Sequence, residues 1–113
     1  MTSARKKFIL RGGYSNVNGW HSKIILINKV NKQNRVFIRF YADTDGRQPI
    51  MKHNVTLEPF EIRSIELDFE QLRERFGRID LKSDDMLDGN VATMRGDDSI
   101  IDLRLVRPDV ICC

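Results

Sequence analysis

Few residues in this 113-residue chain are of a type that does chemistry, and they are scattered. There are two histidines. His21 follows Trp20 at the end of a Gly/Asn-rich stretch, and His53 lies beside Lys52. Acid–base or nucleophilic catalysis needs a second titratable group within hydrogen-bond reach, and neither histidine has a carboxylate or cysteine at such a spacing. Asp43-x-Asp45-Gly46 and Asp84-Asp85-x-x-Asp88-Gly89 place oxygen ligands close together. Neither matches a calcium loop, which needs Asp-x-Asp-x-Asp-Gly and a glutamate at its twelfth position, so both read as hairpin turns. Cys112 and Cys113 are adjacent at the end of the chain, which rules out a disulfide framework or zinc spacing. Their thiols would be able to cross-link two molecules on oxidation. Arg11-Gly12-Gly13 occurs once, where RNA-binding segments repeat the unit. The expectation is no catalytic residue, no metal and no cofactor.

The sharpest lead is a recognition surface. In Asn34–Ala42, Val36, Ile38 and Phe40 share one face of a strand, and Phe37, Arg39 and Tyr41 share the other. The first set reads as core. Two aromatics flanking an arginine can stack on bases or sugars, or seal against another subunit. The competing reading is that a second sheet or a helical turn covers them. The loop Gly12–His21 is the other expected contact surface, and it carries Tyr14, Trp20 and His21. Trp20 fits either a core anchor or a ligand-facing rim.

The elements that would position these residues are short strands. Residues 22–46 hold two runs rich in β-branched and aromatic residues around the polar tetrad Asn31–Asn34, closed by a turn at Asp43–Gly46. Ile24–Ile27 is continuously apolar, as in a strand buried on both faces. Further strands are expected over Lys6–Arg11, Met51–Leu57, Phe60–Phe69, Arg78–Lys82, Met86–Met94 and Ser99–Arg107. The apolar parity of Phe60–Phe69 shifts midway, which predicts a β-bulge near Arg63-Ser64. Asp68–Gly77 predicts one or two helical turns capped by Asp68. Arg95–Asp98 predicts a hairpin turn. The sum is one all-β domain, an antiparallel immunoglobulin-like sandwich of seven or eight short strands and one helical turn, ordered over 5–107 with a tail at 108–113.

The size suits a single core. No apolar run nears the roughly 20 residues of a membrane span, and the N-terminus lacks the about 7–15 apolar residues of a secretory signal, so a cytoplasmic protein is expected. The net charge of +3 conceals an asymmetry. Residues 1–56 carry eleven Lys/Arg against two acids, and residues 57–113 carry eight against fourteen. Head-to-tail self-association, or an anionic partner for the first half, follows if folding preserves that polarity.

With strands in place the order Gly-Gly-Tyr, a loop, Ile-Ile-Leu-Ile-Asn, Val-Phe-Ile-Arg-Phe-Tyr-Ala-Asp, Thr-Leu-Glu-Pro and Ile-Glu-Leu-Asp resembles the small β-sandwich of the sensory rhodopsin transducer family. It is equally similar to immunoglobulin-like sandwich modules of bacterial surface proteins. The likeness spans roughly residues 7–69, mostly packing and turn positions. It implies fold, and for the transducer family a cytosolic tetramer that relays signals or binds DNA, with Arg63 joining a basic surface. It carries over no catalytic residue. The expected function is a non-enzymatic binding or scaffolding module, self-associating and mediating protein–protein contacts or signalling. The alternative is nucleic-acid binding through the basic first half.

Overall fold

The computed structural model describes residues 6–42, 47–96, 98–104 and 111–112. The strands are β1 (Lys6–Ser15), β2 (His21–Asn28), β3 (Asn34–Phe40), β4 (Met51–Leu57), β5 (Ile62–Glu66), β6 (Phe76–Ser83), β7 (Leu87–Arg95), β8 (Asp98–Arg104) and β9 (Ile111–Cys112). They form a five-stranded sheet in the order β4-β3-β6-β1-β9 and a four-stranded sheet in the order β5-β2-β7-β8. Every pairing is antiparallel. The fold is an antiparallel β-sandwich.

Period-two burial builds it. Val36, Ile38 and Phe40 of β3 are fully buried, as are Ile79 and Leu81 of the adjacent β6. They meet Ile24 and Leu26 of β2, Leu87 and Val91 of β7, and Ile65 of β5 in one cluster. Each such side chain withdrawn from water contributes about 1.5–3 kcal/mol. Leu72 plugs the cluster from a 3-10 turn, Glu70–Leu72. That turn is shorter than the sequence suggests, and it is preceded by extended Phe69 with no side-chain cap, so Asp68 has no capping role.

The sequence expectations fail at several joints. The two runs around Asn31–Asn34 are not partners, because β2 and β3 lie in opposite sheets. Among the described residues, the only consecutive strands that pair are β3 with β4 and β7 with β8. Buried asparagines make the crossing possible. Asn28 Nδ2 donates to Lys32 O and Glu58 O, and Asn34 Nδ2 donates to Asp85 O and Met86 O while its Oδ1 accepts from Asp85 N–H. Such side chains satisfy loop backbone that would otherwise be orphaned. Ile24 and Leu26 point inward, but Ile25 and Ile27 are half-buried on the outer face, so β2 is not enclosed on both sides.

No bulge occurs in β5, whose register with β2 runs unbroken from Lys23↔Glu66 to Ile27↔Ile62. The parity conflict is met by leaving Phe60 and Ile62 in solvent, 61% and 68% exposed, with Phe60 at φ 56°. The register irregularity lies instead between Val91 and Thr93. The hairpin at Arg95–Asp98 is present, with Gly96 at φ 58°. Ile111–Cys112 extends the first sheet by pairing with Lys6 and Lys7, where a tail is expected from the sequence. The Asp43–Gly46 turn, residues 105–110 and Cys113 fall outside the described residues.

Candidate functional site

The outward face of the five-stranded sheet collects the cations. Strand register places Lys52, Arg39, Asp80 and Arg11 in one row across β4, β3, β6 and β1. The next row is Asn54, Phe37, Lys82 and Ile9. Between them lies a trough of about 330 Å³ lined by these eight residues with Tyr41 and Leu81. Its lining mixes the apolar Ile9, Phe37 and Leu81 with charged side chains. Arg35 and Arg78 flank it, so among the described residues six cationic side chains share the face with Asp80 and Asp84.

The cations differ in engagement. Arg35 Nε donates to Asp84 Oδ2 at 2.8 Å. Arg78 Nε and Arg11 Nε stand 3.1 Å and 3.4 Å from Asp80 Oδ1, yet neither makes an aligned hydrogen bond to that buried oxygen. Among the described residues Arg39, Lys52 and Lys82 form no ion pair, although all three are exposed. The expected aromatic stripe is half present. Phe37 is half-exposed in the trough with the Arg35 guanidinium 6.0 Å from its centroid. Tyr41 is buried, at 8% exposure, because the Arg78 guanidinium lies 4.1 Å over its ring. What reaches solvent there is the arginine's outer surface. Neither a second sheet nor the 3-10 turn covers this face; the other sheet packs on the opposite side.

Tyr14 is withdrawn from the contact surface. β1 runs on to Ser15, so Gly12–Tyr14 is strand where the sequence suggested loop. Tyr14 turns inward, 3% exposed, meets Phe40 edge-on at 5.9 Å and donates its hydroxyl to Tyr41 O. Trp20 and His21 occupy a second, more open hollow with Asp68, Phe69, Glu70, Arg73 and Glu74. Trp20 is half-buried beneath the Arg95 guanidinium, 4.8 Å from its ring. Asn16 secures this rim, donating to Leu67 O and Leu72 O and accepting from Ser22 N–H. The six residues expected to act together thus divide among the trough, the core and this hollow.

The histidines stay apart. His21 is exposed at the second hollow, while His53 lies on β4 with its ring 5.1 Å from Phe69. Among the described residues no three His, Cys, Asp or Glu side chains are grouped to hold a metal. Asp85 pairs with Lys32, and Asp88 Oδ1 accepts from Gly89 N–H, so those acids serve turn and surface contacts. Arg63 lies on the other sheet, bound to Glu61 at 2.8 Å, and does not join the basic face. The Glu58 N–H and then the Arg63 guanidinium hold the Glu61 carboxyl below the usual glutamate range. No helix among the described residues is long and apolar enough to cross a membrane.

Sequence reasoning missed Arg11, Lys52, Asp80 and Lys82 as neighbours of Phe37 and Arg39. The signal was weak, since strand register across β4-β3-β6-β1 joins residues up to 75 positions apart. No protein-family model and no curated protein matches this chain. Its fold is similar to the crystal structure of Thermotoga maritima 1070, with a TM-score of 0.64 and 14% identity, over 94% of each chain. That likeness agrees with an all-β sandwich and speaks to the fold alone.

Proposed function

We propose that this chain is a non-enzymatic, cytoplasmic binding module that seats a single-stranded nucleic acid on the outer face of its five-stranded sheet. The observation that carries the reading is the row Lys52–Arg39–Asp80–Arg11 beside Phe37 and Lys82. Cations that track a phosphate backbone, with an aromatic ring open to a base, are the parts such a site requires. A flat sheet face admits an extended strand without a deep cleft. Self-association through the same face is disfavoured, because a two-fold contact would set this face's cations against their own copies, and among the described residues six cations stand there with two acids. The basic surface draws on both halves of the chain, since Arg78 and Lys82 join Arg11, Arg35, Arg39 and Lys52.

Fluorescence anisotropy with a labelled oligothymidylate across a salt series tests this. Four engaged cations predict a slope of about −3 in log K against log salt, from roughly −0.7 per phosphate neutralised. The double variant Arg39→Gln/Lys52→Gln lowers that slope by about 1.4. Phe37→Ala weakens binding by about 1–3 kcal/mol with little change in slope, because stacking is not ionic. No binding by the folded wild type at about 50 mM salt overturns the proposal.

A further inference from the structure

We infer that Asn54 reads a base edge on this face and makes adenine the preferred base on the Phe37 ring. The inference rests on the nucleic-acid reading and names the ligand chemistry at its stacking position. Phe37 of β3 lies directly opposite Asn54 of β4 on one side and Lys82 of β6 on the other. Opposed side chains on one face of antiparallel strands start from Cβ atoms about 4.5–5.5 Å apart. The Asn54 amide therefore stands at the edge of whatever lies flat on the Phe37 ring. Phe37 is half-buried, Asn54 is exposed, and both line the trough. Among the described residues the Asn54 side chain makes no hydrogen bond, so its amide is not committed to holding the fold.

Asn54 differs in kind from its neighbours. Arg11, Arg39, Lys52 and Lys82 are the other exposed polar side chains of the lining, and they only donate hydrogen bonds. An amide both donates and accepts. Phosphate oxygens only accept, so the Asn54 carbonyl has no use against a nucleic-acid backbone. A base edge that sets a donor beside an acceptor uses both halves of the amide. Adenine presents that pattern twice, its 6-amino group with N7 and with N1, and so fits in either orientation over Phe37. Guanine shows two acceptors on its N7 edge. The pyrimidines offer one such edge each, on a smaller ring that covers less of the phenyl face.

Anisotropy with labelled oligodeoxyadenylate and oligothymidylate of equal length, on wild type and Asn54→Ala, tests this after circular dichroism melts. A third oligonucleotide carries purine bases that lack the 6-amino group. Wild type is expected to bind the adenylate about tenfold tighter than the thymidylate, the lower end for a two-point base contact because the face is open to water. Omitting the 6-amino group is expected to abolish that preference. Asn54→Ala is expected to bring adenylate and thymidylate within about twofold of each other, with the salt slope unchanged. No adenine preference in wild type, a preference that survives Asn54→Ala, or an equal loss on every oligonucleotide overturns the role of Asn54 while leaving the binding face standing. No binding of any of the three by folded wild type overturns the inference and the nucleic-acid reading together. The amine-free oligonucleotide is read on wild type, so it decides the question even where Asn54→Ala does not fold.

Discussion

Replacing Gly77 with alanine tests how tightly β3 and β6 are joined at the edge of the binding face. An ideal Cβ on Gly77 runs into the carbonyl oxygen of Tyr41, and stands 2.9 Å from the Tyr41 carbonyl carbon and 3.1 Å from that of Ala42. Carbon atoms settle at about 3.5–4.0 Å, and the obstacle is backbone rather than a rotatable side chain. The exit of β3 must therefore retreat by roughly 1 Å. That retreat strains the paired bonds Tyr41 N–H to Arg78 O, 2.8 Å, and Arg78 N–H to Tyr41 O, 3.2 Å. Losing both costs about 2 kcal/mol, and overpacking adds about 1–3 kcal/mol. The total of about 3–5 kcal/mol lowers the melting midpoint by roughly 10–20 °C. Gly96→Ala is the reference, since Gly96 has nothing within 4 Å and only its φ of 58° opposes a side chain, at about 1–2 kcal/mol. Melts followed by circular dichroism rank the two variants. A Gly77→Ala midpoint within about 3 °C of wild type, or a larger loss in Gly96→Ala, refutes the argument.

Two further outcomes concern parts of the fold away from the binding face. Asn34→Ala strips partners from the Asp85 N–H and from two loop carbonyls, and is expected to cost about 2–3 kcal/mol in urea unfolding with the m-value unchanged; a loss under about 0.5 kcal/mol contradicts the part given to Asn34 in holding the crossing between sheets. Glu61 has a folded pKa below its ordinary value, so its contribution is complete above that ordinary value and disappears as pH falls through the depressed one. Urea midpoints from about pH 7 to pH 3 should therefore show wild type and Glu61→Gln converging on acidification, and a pH-independent gap refutes that linkage.

Alternation made the sandwich legible. Val36, Ile38 and Phe40 declared one buried face, and Ile24, Leu26, Ile79 and Leu81 join them in the core. Pairing partners were not legible, because nothing in Asn31–Asn34 distinguishes a hairpin from a crossing between sheets. That distinction rests on Asn28 and Asn34, whose side chains read as ordinary polar residues until their backbone partners are known. The shift of parity around Ile62 admitted a bulge or solvent exposure, and an edge position on β5 tolerates exposure. For the site, Phe37 and Arg39 were visible as a stripe. Tyr41 was lost to Arg78, a residue from another strand, and Tyr14 to the unforeseen extension of β1.

Because β1 finds its main partner in β6, and β2 finds its partners in β5 and β7, neither sheet closes until most of the chain is available. Chain-closure entropy must be met before these remote pairings return any stabilisation, which places the domain among slow, millisecond-to-second folders. A ribosome-bound fragment ending before Phe76 would hold Ile24–Ile27 and Val36–Phe40 with no β6 or β7 to complete either layer. Synthesis of this domain therefore passes through a sticky interval, during which holdase chaperones or slow translation set the yield.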